Sequence, residues 1–217
     1  MQENKAVKPE LVGGTRDMLP ADAFAQQFVF STIQRVYESF GFVPLDTPCM
    51  ERRNVLTGDD PNFNKSIFSV RVVRGTENKD ESLSLLGDDD VALRFDLTVS
   101  LARVVVAYPE LPKPFKRYQY GKVFRGEQPQ AGRFREFYQF DFDIIGSRSI
   151  LADTEVVQVM YETMKALGVP GFVIRFNTRK VLNGLAQACG CVGKSKEVFR
   201  IIDKFDKIGL DGVLGEL

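Results

Sequence analysis

No histidine occurs among the 217 residues. That absence removes Ser-His-Asp and Cys-His nucleophilic schemes, histidine-based zinc sites and imidazole general bases. Chemistry that needs none of these survives. Phosphoryl or nucleotidyl transfer driven by Arg and magnesium is one such reaction, because positioning and charge neutralisation supply most of its catalysis. Cysteine is scarce. Cys49, Cys189 and Cys191 are an odd number in no disulfide framework, and Cys189-Gly190-Cys191 is too tightly spaced for zinc. They read as incidental thiols, and no protein metal site is expected. Net charge is missing too: 29 basic residues balance 29 acidic ones, so only a local patch could serve nucleic acid. No apolar run approaches the roughly 20 residues of a bilayer span, and Met1 to Glu10 lacks an apolar signal core. A cytoplasmic chain with no membrane partner is the expectation.

What is present has the balance of a soluble globular protein, with 44% hydrophobic and 27% charged residues. The length allows one substantial core and a small second lobe. The most informative stretch is Phe115 to Ile145, read at period two as two strands joined by a polar loop. In its second half one parity is Phe134, Glu136, Tyr138, Phe140, Phe142 and Ile144, and the other is Arg133, Arg135, Phe137, Gln139, Asp141 and Asp143. Side chains alternate across a strand, so one face is apolar and the other is too polar to bury without partners. In the first half Arg117, Gln119, Gly121, Val123 and Arg125 share a parity opposite Tyr118, Tyr120 and Phe124. Glycine weakens a strand, so Gly121 suggests a close approach to the backbone. Arg125 and Arg133 flank the loop, an arrangement that suits a polyphosphate because guanidinium pairs bidentately with phosphate oxygens. The plainer alternative is a salt-bridged hairpin in which Asp141, Asp143 and Glu136 neutralise the arginines.

Along the chain, Phe24, Phe28, Ile33, Val36, Tyr37 and Phe40 recur at helical spacing, which predicts a helix over 21–40 with a packing face and Gly41 as its cap. Phe42 to Pro48 reads as an extended edge segment. Residues 52–90 read as peripheral, with a strand at Ile67 to Val73, turns at 75–81 and 87–90, and a solvated acidic turn at Asp88-Asp89-Asp90. Leu93 to Thr98 reads as a strand with Arg94, Asp96 and Thr98 on one face, followed by a helix over 100–108. A further helix is expected over 153–167, with Val156, Met160, Met164 and Leu167 inward and Gly168 as its stop. Phe172 to Phe176 reads as a short strand and Lys194 to Ile208 as an amphipathic helix, with a domain boundary near 177–180.

Several of these segments carry a family resemblance. Phe124-Arg125-Gly126-Glu127 followed by Gly132 to Gln139 resembles motif 2 of class II aminoacyl-tRNA synthetases, and Phe140 to Gly146 is similar to the histidyl version of it. Gly13 to Pro20 resembles the entry segment of that family. The helix, glycine, extended proline-containing segment and Glu51 resemble motif 1, and Arg94 to Val99 is similar to the histidyl-synthetase segment that holds the substrate amino group. The resemblance implies an α+β fold, a class II antiparallel sheet flanked by helices. Residues 1–177 would form the catalytic core and 178–217 the start of a helical insertion lobe, cut before motif 3.

The resemblance also implies roles. Arg125 would hold the α-phosphate of ATP as the catalytic residue, and Arg133 the distal phosphates, with Mg²⁺ bridging them. Glu127 would contact adenine and Phe137 would stack on it. Asp96, Thr98, Gln139 and Asp143 would receive L-histidine, with Asp143 shorter than the Glu found there in other members. tRNA(His) and a second copy of the chain, met through the motif 1 region, are the implied partners. Motif 3, the Arg-Gly-Leu-Asp-Tyr-Tyr segment and the anticodon-binding domain are not recognised in the 217 residues, so the chain resembles the N-terminal part of such an enzyme. Two other readings stand beside this one. One is a histidine-binding regulatory paralogue that partners ATP phosphoribosyltransferase; the other is a fold that persists without activity.

Overall fold

Pro20 opens the first helix, α1 (Pro20–Ser39), at a position where its missing N–H costs nothing. A computed structural model describes residues 8–58, 67–71 and 91–216 of the chain. Helix α1 ends as the glycine at 41 predicts. Gly41 takes φ 76°, its N–H donates to Glu38 O at 2.9 Å, and the Phe42 N–H donates to Tyr37 O at 3.1 Å. This paired closure turns the chain back so that Phe42 packs on Tyr37, with ring centroids 6.4 Å apart. The buried face of α1 is Ile33 and Tyr37, with Val29 and Phe40 beside them. Phe24 and Phe28, expected on the same face, are 72% and 62% exposed. The N-terminal half of α1 leaves those two rings largely uncovered within the described residues.

The central hairpin is strand β4 (Phe115–Phe124) paired antiparallel with β5 (Glu136–Ile145), in a register running from Phe115 opposite Ile145 to Phe124 opposite Glu136. Strand β1 (Val43–Pro44) adds a parallel edge beside Arg117 and Tyr118 of β4, an edge being where a strand proline is tolerated. A second small sheet pairs β2 (Met50–Arg52) antiparallel with β3 (Val91–Leu93). Short helix α2 (Arg53–Thr57) follows β2. The strand expected at Ile67 to Val73 is represented by Ser69 bridging Ala92, with Val70 N–H donating to Val91 O. Its last two residues, the turns at 75–81 and 87–90 and the extreme N-terminus lie outside the described residues.

The apolar face of the hairpin meets α1 and α4 (Ile150–Ala166). Tyr118, Phe42, Tyr37, Ile33 and Val159 form the core, and Phe140, Phe142 and Ile144 pack onto it. Phe30 of α1 lies edge-on to Tyr138 and Phe140 and tilted to Tyr120. Each fully buried ring such as Phe42 contributes roughly 1.5–3 kcal/mol. Ser149 caps α4 by accepting the Leu151 N–H, so this helix starts three residues before the expected Asp153. Its buried stripe is Val159 and Thr163, flanked by Val156 and Leu167. Met160, expected inward, is exposed.

Two stretches differ from the sequence expectation. Leu93 to Thr98 is not one strand: β3 ends at Leu93, and Thr98 is already the first residue of α3 (Thr98–Ala107). Phe172 to Phe176 forms no strand, and Val173 and Phe176 stand exposed. β propensity alone does not make a strand.

Contacts divide the chain into two compact units, Met1–Phe172 and Val173–Leu217. The second holds α5 (Arg179–Ala188), capped by the Thr178 hydroxyl, then α6 (Ser195–Ile202) and α7 (Phe205–Glu216), which kinks at Gly209. The single helix expected over 194–208 is therefore two helices. Among the described residues no helix is long and apolar enough to cross a membrane.

Candidate functional site

The polar face of the hairpin carries the site. Because partners across an antiparallel pair share a face, Val123, Gly121, Gln119 and Arg117 of β4 stand beside Phe137, Gln139, Asp141 and Asp143 of β5. At a rise of about 3.4 Å per residue, Phe137 and Asp143 are roughly 20 Å apart along the strand. That is room for a nucleotide at one end and a small amphoteric molecule at the other.

At the Phe137 end, residues 125–135 form the connecting loop. Its base is held by Arg125 N–H donating to Arg135 O at 2.9 Å, and its tip by reciprocal bonds between Gln130 and Arg133 at 3.2 and 2.8 Å. Gly132, at φ 76°, supplies the backbone conformation that this two-residue turn requires. The loop folds over a cleft of about 440 Å³ lined by Arg125, Glu127, Gln128, Gly132, Arg133, Phe134 and Phe137. All four residues expected to hold a nucleotide therefore share one cleft: Arg125, Glu127, Arg133 and Phe137. Arg125 is fixed within it. Its Nε donates to Phe95 O at 3.3 Å and its Nη2 to Gln139 Oε1 at 3.4 Å, and its guanidinium lies 5.1 Å from the Phe137 ring centroid.

An N-terminal strap steadies this loop. The Arg135 N–H donates to Gly14 O at 2.7 Å, its Nη1 to Gly13 O at 3.2 Å and its Nε to Glu127 O at 3.1 Å. The Arg16 guanidinium lies 4.6 Å from the Phe134 ring centroid. Gly14 takes φ 85°, and a β-carbon there would come within 2.8 Å of Pro129 Cγ and 2.9 Å of Arg135 Cγ. Arg135, read from sequence as one member of the polar face, instead lies before β5 and clasps the strap to the loop.

At the other end the segment between β3 and α3 approaches β5. Asp96 accepts the Val99 N–H at 3.1 Å and so caps α3. Thr98 Oγ1 donates to Asp141 Oδ2 at 3.4 Å, and Gln139 Nε2 donates to both oxygens of Asp141 at 2.9 and 3.0 Å. Asp143 lies further along β5, with its Oδ2 2.5 Å from Nη2 of the fully buried Arg117 directly across the ladder. Burial pushes the Asp143 carboxyl above its ordinary pKa, and Asp141 adds to that while Arg117 opposes it. Burial likewise pushes the Arg117 guanidinium down, against the pull of Asp143, Asp141 and Asp96.

Arg94, expected on the same face as Asp96 and Thr98, goes elsewhere. It is buried beneath β4, with Nε donating to Lys122 O at 2.9 Å and Nη1 to Thr47 O at 2.5 Å. The close approach that Gly121 signals is this side chain. The importance of Arg117 was not visible in sequence, because period two assigns a face but not a partner; the register that sets it opposite Asp143 would have been the signal. Among the described residues no cluster of three His, Cys, Asp or Glu side chains forms a ready metal cage.

Comparison with known proteins places these features in a family. Residues 14–217 match the family model described as histidyl-tRNA synthetase. A histidine–tRNA ligase of Wolinella succinogenes is 43% identical over 221 residues, covering 100% of this chain and 47% of that protein. The crystal structure of histidyl-tRNA synthetase from Nostoc sp. PCC 7120 superposes with a TM-score of 0.82 at 34% identity, covering 98% of this chain and 45% of that one. An ATP phosphoribosyltransferase regulatory subunit/histidyl-tRNA synthetase from Bacillus halodurans has the same fold, with a TM-score of 0.77 at 21% identity. The chain thus spans about half the length of the relatives it matches.

Proposed function

The chain belongs to the histidyl-tRNA synthetase family, and from that premise we propose that its cleft takes Mg·ATP and L-histidine side by side and joins them as histidyl-adenylate. The whole enzyme would then pass the histidyl group to tRNA(His). In the first step the histidine carboxylate forms a bond to the α-phosphorus of ATP while the bond from that phosphorus to the bridging oxygen breaks, releasing pyrophosphate. The carboxylate is already an adequate nucleophile, so no general base is needed, in keeping with a chain that contains no histidine. The work left to the protein is alignment and charge stabilisation.

The observation that carries this reading is the placement of Arg125. It lines the nucleotide cleft and is also hydrogen-bonded to Gln139 and to Phe95 O, the groups that lead to the other end of the face. A guanidinium held there meets the α-phosphate where the two substrates join. Arg133, in the same cleft, suits the distal phosphates, while Glu127 and Phe137 suit the adenine edge and face. Asp96, Thr98, Gln139 and Asp143 are assigned to histidine, whose ammonium matches a carboxylate-rich end. Mg²⁺ is commonly carried by substrate phosphates with few protein ligands, which fits a cleft with arginines and the single carboxylate Glu127; bound there it would neutralise phosphate charge.

A homodimer is part of the same reading. It is supported by the exposed Phe24 and Phe28 of α1 and by Val43 and Met50, all apolar and all in the motif 1 region. A cytoplasmic location follows from the same function.

Calorimetric titration of the chain with L-histidine and Mg·ATP, separately and together, tests the proposal. Both should bind, with ATP lost in Arg125→Ala and histidine lost in Asp96→Ala. Histidine binding with no ATP binding would turn the reading toward a regulatory paralogue, and a folded chain that binds neither would overturn the assigned site.

A further inference from the structure

Arg117 is the least expected feature of the polar face. Its side chain is fully buried, yet Nε, Nη1 and Nη2 find no hydrogen-bond partner among the described residues. A buried guanidinium left this way is costly unless something holds it in place for a purpose. Its surroundings are acidic from two sides. Asp143 and Asp141 face it from β5, and Asp96 from the segment before α3. On its own strand the next inward side chain is the neutral Gln119, tied to Asp46 and Thr47 of the segment after β1. Nη2 lies 2.5 Å from Asp143 Oδ2, and that oxygen is buried without a hydrogen bond among the described residues. The Asp143 side chain as a whole remains 33% exposed, so Oδ1 is the oxygen turned toward the open face.

We propose that Arg117 is the positioning residue of the amino-acid end: it grips Asp143 by Oδ2 so that Oδ1 is presented, ionised, to a ring N–H of the ligand. This deepens the reading of the site as a histidine pocket and rests on it. Asp has one methylene fewer than Glu and therefore less freedom to find a ligand by itself. A rigid partner across the ladder converts that short reach into a fixed one, because β4 and β5 hold the two α-carbons in register. The grip also has a chemical consequence. Burial and Asp141 both favour the protonated carboxyl, and Arg117 is the group that opposes them. A protonated Asp143 loses the charge that makes it a strong acceptor.

The test measures L-histidine and Mg·ATP binding by calorimetry between about pH 5 and pH 8 for the unmodified chain, Arg117→Met, Arg117→Lys and the double variant Arg117→Met/Asp143→Leu. Arg117→Met should weaken histidine about tenfold near neutrality and move the acid-side loss of binding up by about one pH unit or more, since an adjacent Arg⁺ commonly lowers an Asp pKa by that much. Mg·ATP, bound at the far end, should keep its affinity. Arg117→Lys should restore the pH profile. The double variant removes both charges together and so should fold even if Arg117→Met alone does not; it should lose histidine and retain ATP. Arg117→Met with unaltered histidine affinity and pH profile would overturn the proposal, as would a double variant that still binds histidine, because the pair would then be framework. Absence of histidine binding to the unmodified chain at every pH would instead remove the reading on which the proposal rests.

Discussion

Arg94 passes so close beneath Gly121 that a β-carbon at position 121 would lie 2.3 Å from its Nη2. The guanidinium cannot swing aside, because its Nε is bonded to Lys122 O and its Nη1 to the carbonyl and hydroxyl of Thr47. One side chain thereby ties the end of β3 to β4 and to the segment following β1. Gly121→Ala should therefore destabilise the chain by about 1–3 kcal/mol, the usual range for forced overpacking, as read from urea denaturation midpoints. Shortening the obstructing side chain in the same molecule should return part of that loss. A double-mutant cycle with Arg94→Ala that shows no coupling would mean the contact is not the cause.

The N-terminal strap steadies the loop over residues 125–135. Arg135 joins Gly13, Gly14 and Glu127 through three hydrogen bonds, of which only the one to Glu127 O reaches a residue that lines the cleft. Arg135→Ala should leave the hairpin folded and loosen residues 125–135. The two side-chain bonds are exposed, so their loss is set at about 1 kcal/mol in all, which corresponds to an affinity for Mg·ATP about fivefold weaker. Limited proteolysis should cut the loop faster in this variant, with L-histidine affinity unchanged. Equal ATP affinity in both proteins would assign the strap a purely structural role.

These two cases show what was readable in the sequence. The alternation of Glu136 to Ile144 and of Arg117 to Phe124 assigned both faces of the hairpin correctly, because period two is a local property of each strand, while Arg133 and Arg135, read into the same alternation, lie in the loop before β5. The glycine at 41 located the end of α1 for the same reason. Arg94, Arg117 and Arg135 were legible only as charged residues of one parity. Their destinations depend on cross-strand register, on where β3 stops, and on a segment more than a hundred residues away in sequence. Met160 and Phe24 were placed inward on helical spacing alone, but burial of a helix face is decided by what packs against it.

Two tyrosines should report alkaline unfolding. Burial, aided by Asp141, pushes the Tyr37 hydroxyl up to about 12; burial and the bond from its hydroxyl to Glu38, 2.7 Å long, push Tyr118 to about 12 as well. In the unfolded chain a tyrosine ionises near pH 10. The folded state therefore holds protons that the unfolded state has released between those values, and stability falls as pH rises through that window. Below about pH 10 the contribution is fully present. The ultraviolet phenolate signals of Tyr37 and Tyr118 should appear only with loss of the near-ultraviolet circular dichroism. Tyr118→Phe should remove one of the late pair. Titration of both in the folded protein would contradict the buried placement of Tyr37 and Tyr118.

The last expectation concerns the ion pair that anchors β2. Glu51 is buried and accepts Arg103 Nε on both carboxylate oxygens at 2.9 Å, with Nη2 2.8 Å from Oε1. This links the small sheet to α3, the helix whose N-terminal turn carries Thr98 beside the capping Asp96. Removing one partner strands the other, and the carboxylate is the more deeply buried of the two, so Arg103→Met should cost more than Glu51→Gln. Arg103 is about one-third exposed, which discounts the usual penalty for a broken buried pair to about 2 kcal/mol. Replacing both, as Glu51→Leu with Arg103→Met, should recover most of that stability, because two apolar side chains fill the space without a charge to desolvate. If the double variant were as unstable as Arg103→Met alone, packing rather than charge would govern the contact. Histidine affinity measured on the same three proteins adds the functional side. Because α3 holds Asp96 and Thr98 in place, a shift of that helix should weaken histidine in Arg103→Met, and the double variant should regain it together with stability.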